Sequence, residues 1–387
     1  MDWRFLIEGK ESLNVTTDSR KVTAGCVFVA LKGEHFDGND FVEQARKEGA
    51  AYIISGENAL AELQDLARAW RREWAKGKDK AVIAITGTNG KTTTKELTAA
   101  VLSKKYNVLY TEGNYNNSLG VPLTLLRLTQ AHEIAIIEMG ASHPGDIKEL
   151  VEIAEPTEGI ITNVGRAHLE GFGSFEGVMA TKAELYDYLR AHGGFCFRNI
   201  DNPYLAQMAG DLKTIPYSTG TMPEGTHLVG NYNAENVSAA LCIGTYFGVS
   251  EEAALAAIRD YIPSNNRSQL MQTNRNIVIV DAYNANPTSM TAAINSFKGD
   301  CYILGAMREL GEYSHLEHQN IVNMLLERKA DKVLLVGEEY KETTAPYPIF
   351  DNVEALCEYL KEQPIQGARI LLKGSRSNTL EKVIPLL

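Results

Sequence analysis

Short apolar runs alternate with amphipathic stretches along nearly the whole chain. Cys26 to Leu31 (CVFVAL) and Ala51 to Ile54 read as strands, with a short helical pattern from Phe41 to Glu48 between them. Leu60 to Trp74 is amphipathic at helical spacing, and the polar Ala75 to Lys80 forms a hinge around Gly77. Alternation of this kind favours parallel pairing. A second unit places strands at Ala81 to Ile85, Ile134 to Ile137, Gly159 to Thr162 and Phe195 to Arg198. Its helices fall at Asp146 to Ala154, Ser174 to Leu189, Asn233 to Phe247 and Glu251 to Tyr261. Beyond Pro263 a third unit repeats the style. Strands are predicted at Ile277 to Val280, Tyr302 to Leu304, Val333 to Val336 and Ile370 to Leu372, and helices at Ser289 to Phe297, Leu316 to Arg328 and Val353 to Lys361. The pattern predicts an α/β protein of three domains, over residues 1–78, 79–263 and 264–387. The central sheet is of the phosphate-loop ATPase type and the last domain is Rossmann-like.

The most informative stretch is AVIAITGTNGKTTT, Ala81 to Thr94. A buried strand, a glycine turn, Lys-Thr and then a helix with Leu97, Ala100, Val101 and Lys104 in phase form the layout of a phosphate-binding loop. Gly87 and Gly90 free the backbone to turn N–H groups onto phosphate oxygens, and the helix N-terminus favours an anion. Lys91 is placed to reach the terminal phosphates, and the Thr92 hydroxyl to hold Mg²⁺. Ile85 stands where the usual pattern has its first glycine, so this is a variant loop with Thr88 and Asn89 between the glycines. The chain is expected to bind a nucleoside triphosphate.

Bulk composition narrows the partners. The 387 residues carry 44% hydrophobic and 22% charged side chains, which suits a folded globular protein. A formal charge of −11 argues against nucleic acid as a main partner. Five scattered cysteines form neither a paired framework nor a metal spacing, as expected of a reducing compartment. The charged start MDWRFLIEGKESL does not resemble a signal peptide, and no apolar run reaches spanning length. A cytoplasmic protein without membrane insertion is expected.

In doubly wound sheets ligands sit beyond the carboxyl ends of the strands, and polar residues mark those ends in the central unit. Glu138 ends one apolar run, and His168 follows the strand ending at Thr162-Asn163. With Thr92 they make an oxygen-and-imidazole set suited to Mg²⁺ or Mn²⁺. Taken singly, Glu138 and His168 also read as ordinary strand-end and loop residues, and Lys182 as surface charge.

TGTNGKTTT, GNYNNSLGVP (Gly113 to Pro122), EMG (Glu138 to Gly140), NVGRAHLEGFGS (Asn163 to Ser174) and TKAEL (Thr181 to Leu185) occur in this order. The third unit adds DAYNANPTSM (Asp281 to Met290), LGAMRELG (Leu304 to Gly311) and KGSR (Lys373 to Arg376). Together they resemble the Mur ligases of peptidoglycan synthesis, and Thr17 to Phe41 is similar to the UDP-sugar domain of that family. The resemblance implies ATP-dependent amide formation, with UDP-N-acetylmuramoyl-tripeptide and D-alanyl-D-alanine as substrates and a monomer as the working form. It implies that Gly87, Thr88, Asn89, Gly90, Lys91, Thr92 and Thr93 hold the ATP phosphates. Thr92, Glu138, His168 and a carbamate formed on Lys182 would serve two Mg²⁺ sites. Asn236 would read adenine, Arg267 would reach the γ-phosphate from the domain junction, and Asp281 would lie near the ribose. Lys91, His168, Lys182 and Arg267 are the implied catalytic set. Asp18, Ser19 and Arg20 would face the uridine nucleotide, while Asn117, Tyr283, Asn284, Asn286 and Lys373 would meet the substrates.

The chain departs from the family pattern at Tyr232 (usually His), Ser142 (commonly Asn), Asn39 (commonly His) and Asn266 (usually Gly). The stretch from Tyr217 to Gly230 is shorter than the family's by several tens of residues, as if a strand pair were missing. Another amide ligase of the superfamily, such as a folylpolyglutamate synthase, and a catalytically silent nucleotide-binding relative are the alternatives. The Asn284-Ala285-Asn286-Pro287 loop argues against the other ligases, whose counterparts differ there.

Overall fold

The computed structural model describes every residue except Met1, Lys78, Ser264 and Asn265, so the boundaries expected at Lys78 and Ser264 lie outside the described residues. Three sheets follow one another along the chain. The first is small and parallel, with Val15–Thr16, Val27–Val29 and Tyr52–Ile54 side by side. Its helix, Ala59–Trp74, turns Leu63, Leu66, Ala67, Trp70 and Trp74 inward at helical spacing, all without measurable exposure. That face packs on the second sheet's layer as well as on its own. Trp70 Nε1 donates to the Leu128 carbonyl at 3.1 Å, and Trp74 Nε1 to that of His132 at 3.0 Å. The Arg71 guanidinium donates to the carbonyls of Ala154 and Glu155 at the end of the helix Asp146–Ala154. A single hydrophobic core therefore runs from Trp3 through Leu212.

The central sheet has six parallel strands in the spatial order Val108–Tyr110, Ile134–Glu138, Ala81–Thr86, Glu158–Ile161, Phe195–Asn199 and Thr214–Tyr217. Ala81–Thr86 sits where the strand order reverses, and its carboxyl end opens into the crevice that such a reversal creates. This strand is buried at all six positions, which explains Ile85: it pairs with Glu138 on one side and Ile160 on the other, still inside the sheet. The turn starts one residue later and takes its positive φ at Gly87 (139°) and Gly90 (79°). Beyond Tyr217 the chain runs without helix or strand until Asn233.

The third sheet is mixed. Gln269–Gln272 pairs antiparallel with Ile277–Asp281 at one edge, and the remaining strands, Arg369–Lys373, Cys301–Gly305, Lys332–Val336 and Ile349–Phe350, continue in parallel. The edge strand is half-buried and polar at its ends, so its apolar signal is weak. One face of this domain packs on the central one through Leu169, Phe172 and Val178. Among the described residues no helix is long and apolar enough to cross a membrane.

Candidate active site

The helix Lys91–Leu102 begins at Gly90, whose left-handed backbone turns the loop into the first helical turn. A Cβ at Gly90 would stand 2.2 Å from Asn236 Oδ1, so only glycine fits between loop and helix Asn233–Tyr246. The loop is tied down from behind. Thr88 N donates to the Asn163 carbonyl (2.9 Å), Asn89 N to Asn163 Oδ1 (3.0 Å), and Thr162 Oγ1 to the Asn89 carbonyl (2.6 Å). Lys91 Nζ folds back on the carbonyls of Gly87 (2.8 Å) and Thr88 (3.1 Å), and burial pushes its ammonium down to about 8.

This loop forms one wall of a cavity of about 800 Å³, and the third domain forms the facing wall. Of the residues expected in the site, the cavity is lined by Thr88, Asn89, Gly90, Lys91, Thr92, Thr93, Asn117, Glu138, His168, Asn236, Arg267, Asp281, Tyr283, Asn284 and Lys373. Gly87 stands behind the loop against Thr162. Asp18, Ser19 and Arg20 are not among the lining residues; they form a turn in the first domain, with Arg20 paired to Asp18 at 2.9 Å.

Glu138 is 1% exposed at the end of its strand. Its Oε1 accepts from Thr92 Oγ1 (3.1 Å) and Asn116 Nδ2 (2.9 Å), while Oε2 makes no hydrogen bond. Lys95 Nζ lies 3.8 Å from that oxygen and is itself buried without a hydrogen bond. Neither Asn116 nor Lys95 is singled out by the sequence argument. The signal for Lys95 is its position three residues after Thr92, which puts both on one helix face.

His168 takes a left-handed backbone (φ 51°) and its Nδ1 meets Glu309 Oε2 of the third domain. Lys182 does not line the cavity. It is 2% exposed, its Nζ lies 5.5 Å from the Phe172 ring centroid, and burial, reinforced by the charge of Lys91, pushes it down to about 7. Among the described residues no three His, Cys, Asp or Glu side chains stand close enough to hold a metal by themselves. The oxygen set at Thr92 and Glu138 is thus one carboxylate and one hydroxyl.

On the opposite wall the Arg267 guanidinium stacks on Tyr283, with Cζ 3.7 Å from the ring centroid. Asp281 and Lys373, expected to contact different ligand groups, form an ion pair of 2.7 Å, and Asp281 Oδ1 also accepts from Ser268 N. Tyr232 lines the cavity through a half-buried ring, and its hydroxyl pairs with Ser268 Oγ at 2.7 Å. Two further contacts cross the junction: Arg166 Nη1 to the buried Glu317 Oε1 (2.8 Å), and Arg166 N to Thr288 Oγ1 (2.9 Å).

A phosphate loop facing cationic and aromatic side chains of a second domain is the arrangement of an enzyme that activates one substrate with a nucleotide and delivers it to another. Family models match in three blocks: the Mur ligase family catalytic domain over residues 13–102, the Mur ligase middle domain over 85–224, and the Mur ligase glutamate ligase domain over 266–376. The chain belongs to the Mur ligase family. It is 34% identical to the UDP-N-acetylmuramoyl-tripeptide–D-alanyl-D-alanine ligase of Bacillus subtilis, covering 96% of this chain and 92% of the relative. The Escherichia coli ligase of the same description is also 34% identical, with 96% and 93% covered. The B. subtilis alignment runs over 427 positions against 387 residues here, so that relative carries residues with no counterpart in this chain. Among solved structures, the MurF ligase of Thermotoga maritima in complex with ADP superposes with a TM-score of 0.86 at 27% identity, covering 98% of both chains. A MurF of Acinetobacter baumannii gives 0.83 at 29% identity, covering 96% and 92%.

Proposed function

We propose that this chain is an ATP-dependent ligase that joins D-alanyl-D-alanine to UDP-N-acetylmuramoyl-tripeptide in the synthesis of peptidoglycan precursors. The observation that carries the reading is the 34% identity, over nearly the whole of both chains, to ligases of that description. The cavity supports it, since the phosphate loop and Arg267 occupy facing walls.

The tripeptide carboxylate attacks the γ-phosphorus of ATP, and the bond to the β,γ-bridging oxygen breaks, leaving an acyl phosphate and ADP. The D-alanyl-D-alanine amine then attacks the acyl carbon, loses a proton, and phosphate departs as the amide forms. Lys91, released from the loop carbonyls, and Arg267 neutralise the phosphoryl oxygens as charge shifts. Gly90, Thr92 and Thr93 open the helix whose N–H groups meet the phosphates. Asn236 and the Tyr232 ring border the adenine end of the cavity. Closure of the third domain excludes water from the acyl phosphate.

The residues fit a hard cation. Glu138 Oε2 is a buried carboxylate oxygen without a hydrogen bond, 3.8 Å from the Lys95 ammonium, and Oε1 of the same carboxylate accepts from the Thr92 hydroxyl. Thr92 and Glu138 would hold one Mg²⁺, and His168 and carbamylated Lys182 a second. Bound there, Mg²⁺ would screen phosphate charge. Lys182 suits carbamate formation because its neutral amine is populated near pH 7. The same reading makes the protein a cytoplasmic monomer, in keeping with five free cysteines.

Phosphate release, measured over a matrix of UDP-muramoyl peptides and amine acceptors, tests the assignment. Turnover is expected only with the tripeptide and D-alanyl-D-alanine together. Equal turnover with free D-glutamate as acceptor would overturn it.

A further inference from the structure

The loop carrying Tyr283 and Asn284 ends at Asn286, which the family resemblance assigns to substrate contact. Its side chain is already committed. It is 6% exposed and N-caps the helix Pro287–Ser296, with Oδ1 accepting from Ser289 N at 2.8 Å. Its Nδ2 donates to Asn89 Oδ1 at 2.8 Å, and Asn89 Nδ2 lies 3.4 Å from Asn286 Oδ1 in return. Asn89 is the residue before Gly90 in the phosphate loop, and Asn163 fixes its backbone N–H. An amide pair therefore joins the phosphate loop to the cap of the acceptor-side helix. Thr288, two residues on, reinforces the seat by accepting from Arg166 N at 2.9 Å. The docking is close: a Cβ at Gly165 would stand 2.6 Å from Thr288 Oγ1.

We propose that Asn286 is a positioning residue rather than a substrate reader, and that its pair with Asn89 is the latch holding the acceptor loop closed on the phosphate loop. The latch accounts for a buried asparagine where serine or aspartate would cap equally well. Capping needs only an acceptor, whereas Asn286 also uses its donor on Asn89. Loss of the latch lowers the population of the closed state and so weakens apparent acceptor affinity, while the phosphate loop keeps its own ties to Asn163. The kinetic part of this inference rests on the ligase reading above.

Four variants separate the two roles. Asn286→Ser keeps the cap but is too short to reach Asn89. Asn286→Asp keeps the cap and can accept from Asn89 Nδ2 once that amide turns over. Asn89→Ala removes the partner, and Asn89→Ala/Asn286→Ser removes both. Asn286→Ser and Asn89→Ala should each raise the KM for D-alanyl-D-alanine about 5- to 10-fold, the size of one neutral hydrogen bond, with kcat changing less and Tm held. The double variant should be no worse than either single, and Asn286→Asp should return KM to within about threefold of wild type. In small-angle scattering with ADP, the latch-less variants should show a larger radius of gyration than wild type. The proposal is overturned if Asn89→Ala leaves KM unchanged while Asn286→Ser raises it, because Asn286 would then touch the substrate directly. Additive effects in the double variant, or an Asn286→Asp no better than Asn286→Ser, also overturn it. If wild type shows no ligase turnover, the functional reading fails, and the scattering comparison alone decides the latch.

Discussion

The lysine on helix Phe175–Ala191 makes the sharpest test of the site's chemistry. An ordinary lysine titrates at 10.5 and at pH 7 is neutral in about three molecules in ten thousand. Lys182 is pushed down to about 7, first by burial and then by the charge of Lys91, against the opposing pull of Asp146 and Glu184. Half the molecules then carry a free amine at pH 7, on the order of a thousandfold more than in solution. Only the neutral amine adds CO₂, and the addition releases a proton, so at fixed dissolved CO₂ the carbamate should grow in as pH rises from 6 to 8. Stability of the unmodified protein should move in the same direction. Between about 7 and 10.5 the folded state binds fewer protons than the unfolded one, so the burial penalty is full below 7 and relieved as pH rises. The assay is carbon NMR with ¹³C-bicarbonate, run beside phosphate release. Wild type should show one carbamate resonance that Lys182→Met lacks, and the variant should lose about 10²–10³ in kcat. Short carboxylates should restore part of that loss. No such resonance in wild type, together with turnover indifferent to removal of bicarbonate, would refute the reasoning.

Two further outcomes follow from the cavity walls. Arg267→Ala should lower kcat by about 10²–10³ while the dissociation constant for the UDP-substrate moves little, because the guanidinium belongs to the junction wall; near-normal turnover would remove it from the reacting centre. Gly90→Ala forces a side chain into a backbone with φ of 79° and a 2.2 Å approach to Asn236 Oδ1. Its strain of about 1–2 kcal/mol plus the displaced asparagine should weaken ADP binding at least about tenfold by calorimetry, and unchanged affinity would mean the turn does not hold the phosphates.

The parts of the fold that were legible in sequence are those where burial is one-sided or complete over several residues. The helix Asp146–Ala154 keeps the bounds that its periodicity predicts, and the buried strand before the phosphate loop is plain from its apolar run. Short edge strands escaped: Val108–Tyr110 has one buried residue in three, and Thr214–Tyr217 one in four, so neither carries a readable pattern. The loop was legible because its spacing carries the chemistry and Glu138 because it ends an apolar run, whereas Arg267 came only through the family resemblance. What was not legible is how the third domain docks. The pairing of His168 with Glu309 and of Asn89 with Asn286 joins residues 141 and 197 positions apart. Such meetings depend on rigid-body placement that no local periodicity encodes.

The core shared by the first two sheets bears on how the protein is made. Trp70 and Trp74 find their carbonyl partners at Leu128 and His132, and the core they join is completed only by Leu205, Ala209 and Leu212. Apart from the small cluster of Phe28, Ala30 and Ala45, the first domain therefore has no finished interior when its own last residue leaves the ribosome. More than half of the polypeptide must emerge before the helix Ala59–Trp74 can bury its tryptophans, whereas the third domain has a core of its own and can close later. A fragment ending at the first hinge would present both indoles to water. It should be an aggregation-prone piece and a ready chaperone client, not a free-standing nucleotide-sugar module.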